Sequence, residues 1–154
     1  MSAVAIASNN GKSGADFVVA SYDGIHLLFH ECEVRSVEVI GDIELPATAP
    51  EAGFRYRRGE DECPVFALDK DLAILPALPA QRQHFILLAG EGGDFGIACD
   101  QTSLLRQAEA RLLPLPECMQ SELSPVRGVT LIADAVGFYC PPSALAASLF
   151  SRRE

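Results

Sequence analysis

The residues of this chain that could do chemistry are three histidines (His26, His30, His84), five cysteines (Cys32, Cys63, Cys99, Cys118, Cys140) and an arginine cluster at Arg55, Arg57 and Arg58. A serine or cysteine nucleophile needs a base within hydrogen-bond reach, and the common families carry a local signature around it. The chain has no G-x-S-x-G elbow and no local cysteine signature. His26 and His30 fall at even spacing in a strand-like run, so they share one face, read here as a partly solvated one. A zinc site needs closely paired ligands, and there is no C-x-x-C pair. An odd set at irregular spacing also argues against a disulfide framework. The cysteines therefore read as reduced core residues, since a free thiol packs like a small hydrophobe. Neither catalytic residues, nor a metal, nor another cofactor is expected.

Two further stretches invite a binding role. "GEGGDFG" (90–96) is glycine-rich, but it lacks the G-K-[ST] ending of a phosphate loop and runs into a strand rather than a helix. It reads as a hairpin turn. In "RYRRGEDECPVFALD" (55–69), alternation puts Arg55 and Arg57 on one face, toward water and the acids Glu60, Asp61 and Glu62. Exposed pairs of that kind contribute only ~0–1 kcal/mol each. Arg58 alternates with Phe54 and Tyr56 toward the less solvated side, where a charge needs a partner. Glu38, from an earlier element, is a candidate.

These residues must be positioned by a small body. The chain has 154 residues, 49% of them apolar, with a formal charge of −9. That suits one domain with a sizeable core. The acidic balance argues against a nucleic-acid partner, which would require a basic face. The apolar start lacks a basic region before it, and no apolar run approaches the ~18 residues of a span, so a cytoplasmic protein without membrane insertion is expected.

Residues 1–15 read as a loose arm, followed by one domain over 16–154. "DFVVASYDGIHLLFH" reads as two strands about an Asp23-Gly24 turn. "ECEVRSVEVI" can open as a helical turn and finish as a strand. Phe54 to Arg58 and "CPVFALD" are short strands. "LAILPALPAQRQ" is broken by Pro76 and Pro79 into a short helical turn and a loop. "HFILLAG" and "FGIACDQTSLL" flank a glycine turn, and "SPVRGVTLIADAVGFYC" is a second hairpin. A closing helix follows Pro142, with Ser143 as its cap. Nine or ten short strands with few helices make the chain mainly β, a sandwich or barrel.

The order of these blocks resembles the CheW-like family, the adaptors of bacterial chemotaxis. The resemblance runs from about Phe17 to Phe150. It is carried by "VRSVEVI" (34–40), the proline loop "LPATAP" (45–50), "GFRYRRG" (53–59) leading into "CPVFAL" (63–68), "GGDFGIACD" (92–100), and "RGVTLIADAVGFYCPPSAL" (127–145). The proline loop is shorter than the family's, and Ala67 stands where an acid is usual.

The resemblance implies two five-stranded SH3-like β-barrels sharing a hydrophobic core, with a short C-terminal helix. The first would take roughly residues 16–38 plus a late closing strand, the second roughly 39–125. It implies a non-enzymatic scaffold in two-component signal transduction, coupling the cytoplasmic tip of a methyl-accepting chemoreceptor to the regulatory domain of a CheA-like histidine kinase. Val37, Glu38, Val39, Gly53, Arg58 and Gly59 would be the partner-binding residues. The departures also fit a divergent member that caps or competes with such an array in another motility pathway, for example one driven by type IV pili. A small Cys/His enzyme is the remaining reading.

Overall fold

The computed structural model describes residues 16–44, 54–58, 60–90, 92–106, 110–120, 124–132 and 134–151. The expected N-terminal arm, Gly53 and Gly59 lie outside them. The strands are β1 (Phe17–Tyr22), β2 (Ile25–His30), β3 (Val34–Val39), β4 (Ile43–Glu44), β5 (Phe54–Arg58), β6 (Asp61–Phe66), β7 (His84–Leu88), β8 (Phe95–Cys99), β9 (Gln101–Leu105), β10 (Leu113–Pro114), β11 (Gly128–Ile132) and β12 (Ala135–Tyr139), followed by helix α1 (Pro142–Ser151).

They form two six-stranded sheets, ordered β10-β11-β12-β2-β1-β9 and β3-β7-β8-β6-β5-β4. Each has five principal strands and one two-residue strand. The chain is thus mainly β with one short C-terminal helix, as the sequence indicates. The first sheet curls on itself. β9 at one edge and β11 near the other both feed one apolar cluster, through Leu105 and Ile132 around Phe17, Val19 and Leu28. The second sheet encloses Phe54, Tyr56, Val65, Phe85 and Leu87.

Between the sheets lies a third and larger cluster. β1 supplies Val18, Ala20 and Tyr22, β7 supplies Ile86 and Leu88, and β8 supplies Phe95, Ile97 and Cys99. Alternation explains the sharing. Odd positions of β1 enter the first barrel and even ones enter the seam, while β7 does the same for the second barrel. Strands buried on both faces need the near-continuous apolar runs that these segments have.

The β1–β2 hairpin closes on Asp23 and Gly24, both at positive φ (47° and 79°), as a two-residue primed turn requires. Gly96 is dictated by packing. A Cβ there would lie 2.9 Å from Val65 Cγ2 and 3.0 Å from Phe85 Cδ2. Glu31–Glu33 is a 3-10 turn leading directly into β3, so "ECEVRSVEVI" takes both expected forms in succession.

Four expectations are corrected. β3 joins the second sheet, while β9 and β10 join the first, so neither boundary of the expected barrel division falls where placed. The run after the glycine turn is two strands in different sheets, with Asp100 at the crossing. Residues 67–83 contain no helical turn. Asp69 instead organises a loop by accepting from the Asp71 and Ala73 amides at 2.8 and 3.0 Å, since Pro76 and Pro79 deny a helix its hydrogen bonds. Helix α1 begins at Pro142, so Ser143 is inside it. Proline suits the first helical position because its missing N–H would have no partner there.

Candidate functional site

The second barrel presents two clefts at opposite ends of β7. At its exit, the β7–β8 turn, Pro64 of β6 and one face of α1 enclose about 650 Å³. Ser143, Ala146, Ala147 and Phe150 of α1 form the helical wall, spaced three and four apart so that they share a face. Phe150 anchors that wall, with its ring edge-on to Phe66 at 5.6 Å and to Phe95 at 6.0 Å between centroids. Two acids stand on the rim. Glu62 accepts from Arg55 Nη1 at 2.8 Å, and Asp94 lies 3.5 Å from Arg35 Nε. The cleft therefore has a small, apolar helical wall and a charge-balanced rim.

At the entrance of β7, a cleft of about 340 Å³ lies between Val39–Gly41 and the loop of Leu78, Pro79 and Ala80. The Ile40 amide donates to the Gln83 carbonyl at 2.9 Å and ties the two walls together. Behind this cleft sits Arg82, whose side chain has no exposed surface. Its Nη2 donates to Asp23 Oδ2 at 2.8 Å, its Nε is 3.3 Å from Asp100 Oδ1, and its guanidinium carbon stands 4.1 Å over the Tyr22 ring. Burial raises the Tyr22 phenol above its ordinary range, partly offset by the Arg82 charge.

Of the sequence-derived residues, only Val39 is among the described residues that line either cleft. Val37 is half-buried against the seam, opposite Ile86. Glu38 is 9% exposed, faces the same side of the sheet as Phe85, and accepts from Ser36 Oγ at 2.6 Å. Val39 is 40% exposed and lines the smaller cleft. Arg58 ends β5 opposite Asp61, in the strand pair whose β6 lines the larger cleft. β3 and β5 are separated by three strands in the sheet order. Arg55 and Arg57 are exposed and both approach Glu62, at 2.8 and 3.8 Å, as alternation indicates.

The expectation that all five cysteines are core residues is corrected, because Cys32 and Cys118 are exposed. Cys63, Cys99 and Cys140 are buried. Burial pushes the Cys99 and Cys140 thiols up to about 12, which keeps them protonated and non-nucleophilic at neutral pH. His26 and His30 do share a face, on the inner side of the first barrel. His26 Nδ1 is 2.7 Å from the Ser21 hydroxyl, while His30 lies against Phe17 and Tyr139. Among the described residues no group of three or more His, Cys, Asp or Glu side chains is placed to hold a metal, and no helix is long and apolar enough to cross a membrane.

On the first sheet, Leu131 and Val136 stand directly opposite one another with Leu113 close by, all exposed.

Comparison with solved structures places this architecture. The chain is similar to the scaffolding protein TtCheW from Thermoanaerobacter tengcongensis, with a TM-score of 0.66 over 86% of this chain and 92% of that one, at 17% identity. The fold is the CheW fold. No protein-family model matches the chain, and no curated protein matches it by sequence.

Proposed function

We propose that this protein is a non-enzymatic adaptor of chemotaxis-type signalling that holds two protein partners on opposite ends of its second barrel. The observation that carries this reading is the pair of clefts separated by the length of β7, on a body with the fold of a scaffolding protein. From Gln83 to Gly90 the strand spans roughly 20 Å, enough to keep two bound proteins apart.

The larger cleft suits a helical hairpin. The small side chains at 143, 146 and 147 let a partner helix approach closely, and the paired rim charges supply polar edges around an apolar floor. We assign it the cytoplasmic tip of a chemoreceptor, and we propose Gly53, Arg58 and Gly59 as further partner-binding residues. An arginine guanidinium is a rigid fork that suits a carboxylate on such a tip. The β3 end, with Val37, Glu38 and Val39, takes the regulatory domain of a CheA-like histidine kinase by barrel-to-barrel packing. Both partners place the adaptor in the cytoplasm.

The test is titration of the purified chain with each partner fragment from the same organism. Ala147→Arg fills the larger cleft and is expected to weaken receptor-tip binding by about tenfold or more, the size seen when the centre of an interface is disrupted. It should leave kinase-domain binding unchanged. Val39→Asp should do the reverse. Failure of the unaltered chain to bind either fragment contradicts the proposal.

A further inference from the structure

We infer that Arg82 is a positioning residue: a buried latch that fastens the β1–β2 turn of the first barrel to the second barrel, and thereby sets the shape of the Val39 cleft. The groups it joins come from three separate places. Tyr22 and Asp23 close the first hairpin, Asp100 marks the crossing from the second sheet to the first, and Arg82 leads into β7 of the second. The Asp100 amide also donates to Ser21 O at 2.8 Å, so the crossing is pinned to the same hairpin by its backbone.

The coupling to the cleft is short. The Arg82 amide donates to Pro79 O at 3.0 Å and holds the 79–82 loop closed. The next residue, Gln83, accepts from the Ile40 amide, adjacent to Val39. Moving the guanidinium therefore moves both walls. A fully buried cation persists only where its partners are fixed, because an uncompensated one is strongly destabilising. Among the described residues Arg82 Nη1, Arg82 Nε and Asp100 Oδ1 have no hydrogen-bond partner, and Nε meets Asp100 as an ion pair at 3.3 Å, so the cation depends on its hydrogen bond to Asp23, the Asp100 charge and the Tyr22 ring. Asp23 keeps its carboxylate partly in water while pairing with a dry guanidinium, so the latch can be weakened from the surface.

That the latch tunes a kinase-binding surface rests on the function proposed above; the latch itself does not. The test is amide hydrogen exchange on the full chain carrying Asp23→Asn. Asparagine keeps the shape and tolerates the positive φ at this position, so the turn survives. Losing the charge on one partner should accelerate exchange at Ile40 and Arg82 by about tenfold, the scale of a hydrogen bond to a charged group. Amides in α1 and in the β11–β12 hairpin should be unchanged. Arg82→Lys should give the same local pattern, because a point charge cannot span both carboxylates. Unchanged exchange at Ile40 and Arg82, or equal acceleration in α1, overturns the latch. If the local pattern appears while the unaltered chain fails to bind the kinase domain, the latch stands and the functional reading falls.

Discussion

The two ends of the seam between the barrels are fastened in opposite ways. Where β8 begins, Phe95 and Phe66 both stand edge-on to Phe150 of α1, in the apolar cluster that also holds Leu145 and Leu149. Where β8 ends, Cys99 gives way to Asp100 and the buried Arg82. The apolar end gains from every methylene removed from water. The ionic end contributes little net stability, because desolvation offsets attraction, but it fixes direction. Robust attachment and defined geometry are thus supplied by different residues. The clefts follow the same division, one walled by α1 and the other backed by Arg82.

The largest effect that would break this contrast is at the apolar end. Phe95→Ala removes a fully buried ring from the seam and should cost about 3–5 kcal/mol in denaturant unfolding. Both barrels should melt in one transition, since the seam belongs to both. A second, separate transition would mean that the shared cluster does not couple them.

Alkaline titration gives a smaller effect. Cys99 and Cys140 both lie in the seam, with thiols raised from 9.0 to about 12 by burial. Above pH 9 the unfolded chain releases these protons while the folded chain retains them. Stability is therefore complete below about pH 9 and is lost as pH rises toward 12, at up to ~1.4 kcal/mol per pH unit for each thiol. Cys99→Ala should flatten the pH dependence. An unchanged slope would show that the thiol is not desolvated.

The smallest expected effect sharpens the comparison by holding chemistry constant and changing burial. Arg55 pairs with Glu62 at the same 2.8 Å as Arg82 with Asp23, but its side chain is 67% exposed. Arg55→Ala should change stability by only ~0–1 kcal/mol, with the difference vanishing in high salt.

Much of this was legible in the sequence because it rests on local rules. Asp23-Gly24 specifies its turn, the glycines at 90–93 mark another, and alternation predicted the exposed faces of Arg55 and Arg57. The 16–38 and 39–125 division failed because strand partnership is a long-range property. "FGIACDQTSLL" reads as one apolar run, and nothing within it announces that Asp100 carries the chain between sheets. The arginine cluster is conspicuous by its density, whereas Arg82 lies inconspicuously in "QRQ" after two prolines. Its burial depends on Asp23, 59 residues earlier, and on Asp100, and no local pattern encodes that meeting. The larger cleft was equally hidden, since its wall is a stretch of α1 that reads only as a closing helix.

The proposed function requires this chain to join two proteins simultaneously. Its most direct test is to immobilise the receptor-tip hairpin and ask whether the kinase regulatory domain is retained only when this protein is added. Retention is expected to depend on the added protein and to be abolished by either Ala147→Arg or Val39→Asp. Displacement of one partner by the other would contradict it and would mark the protein as a competitor or cap.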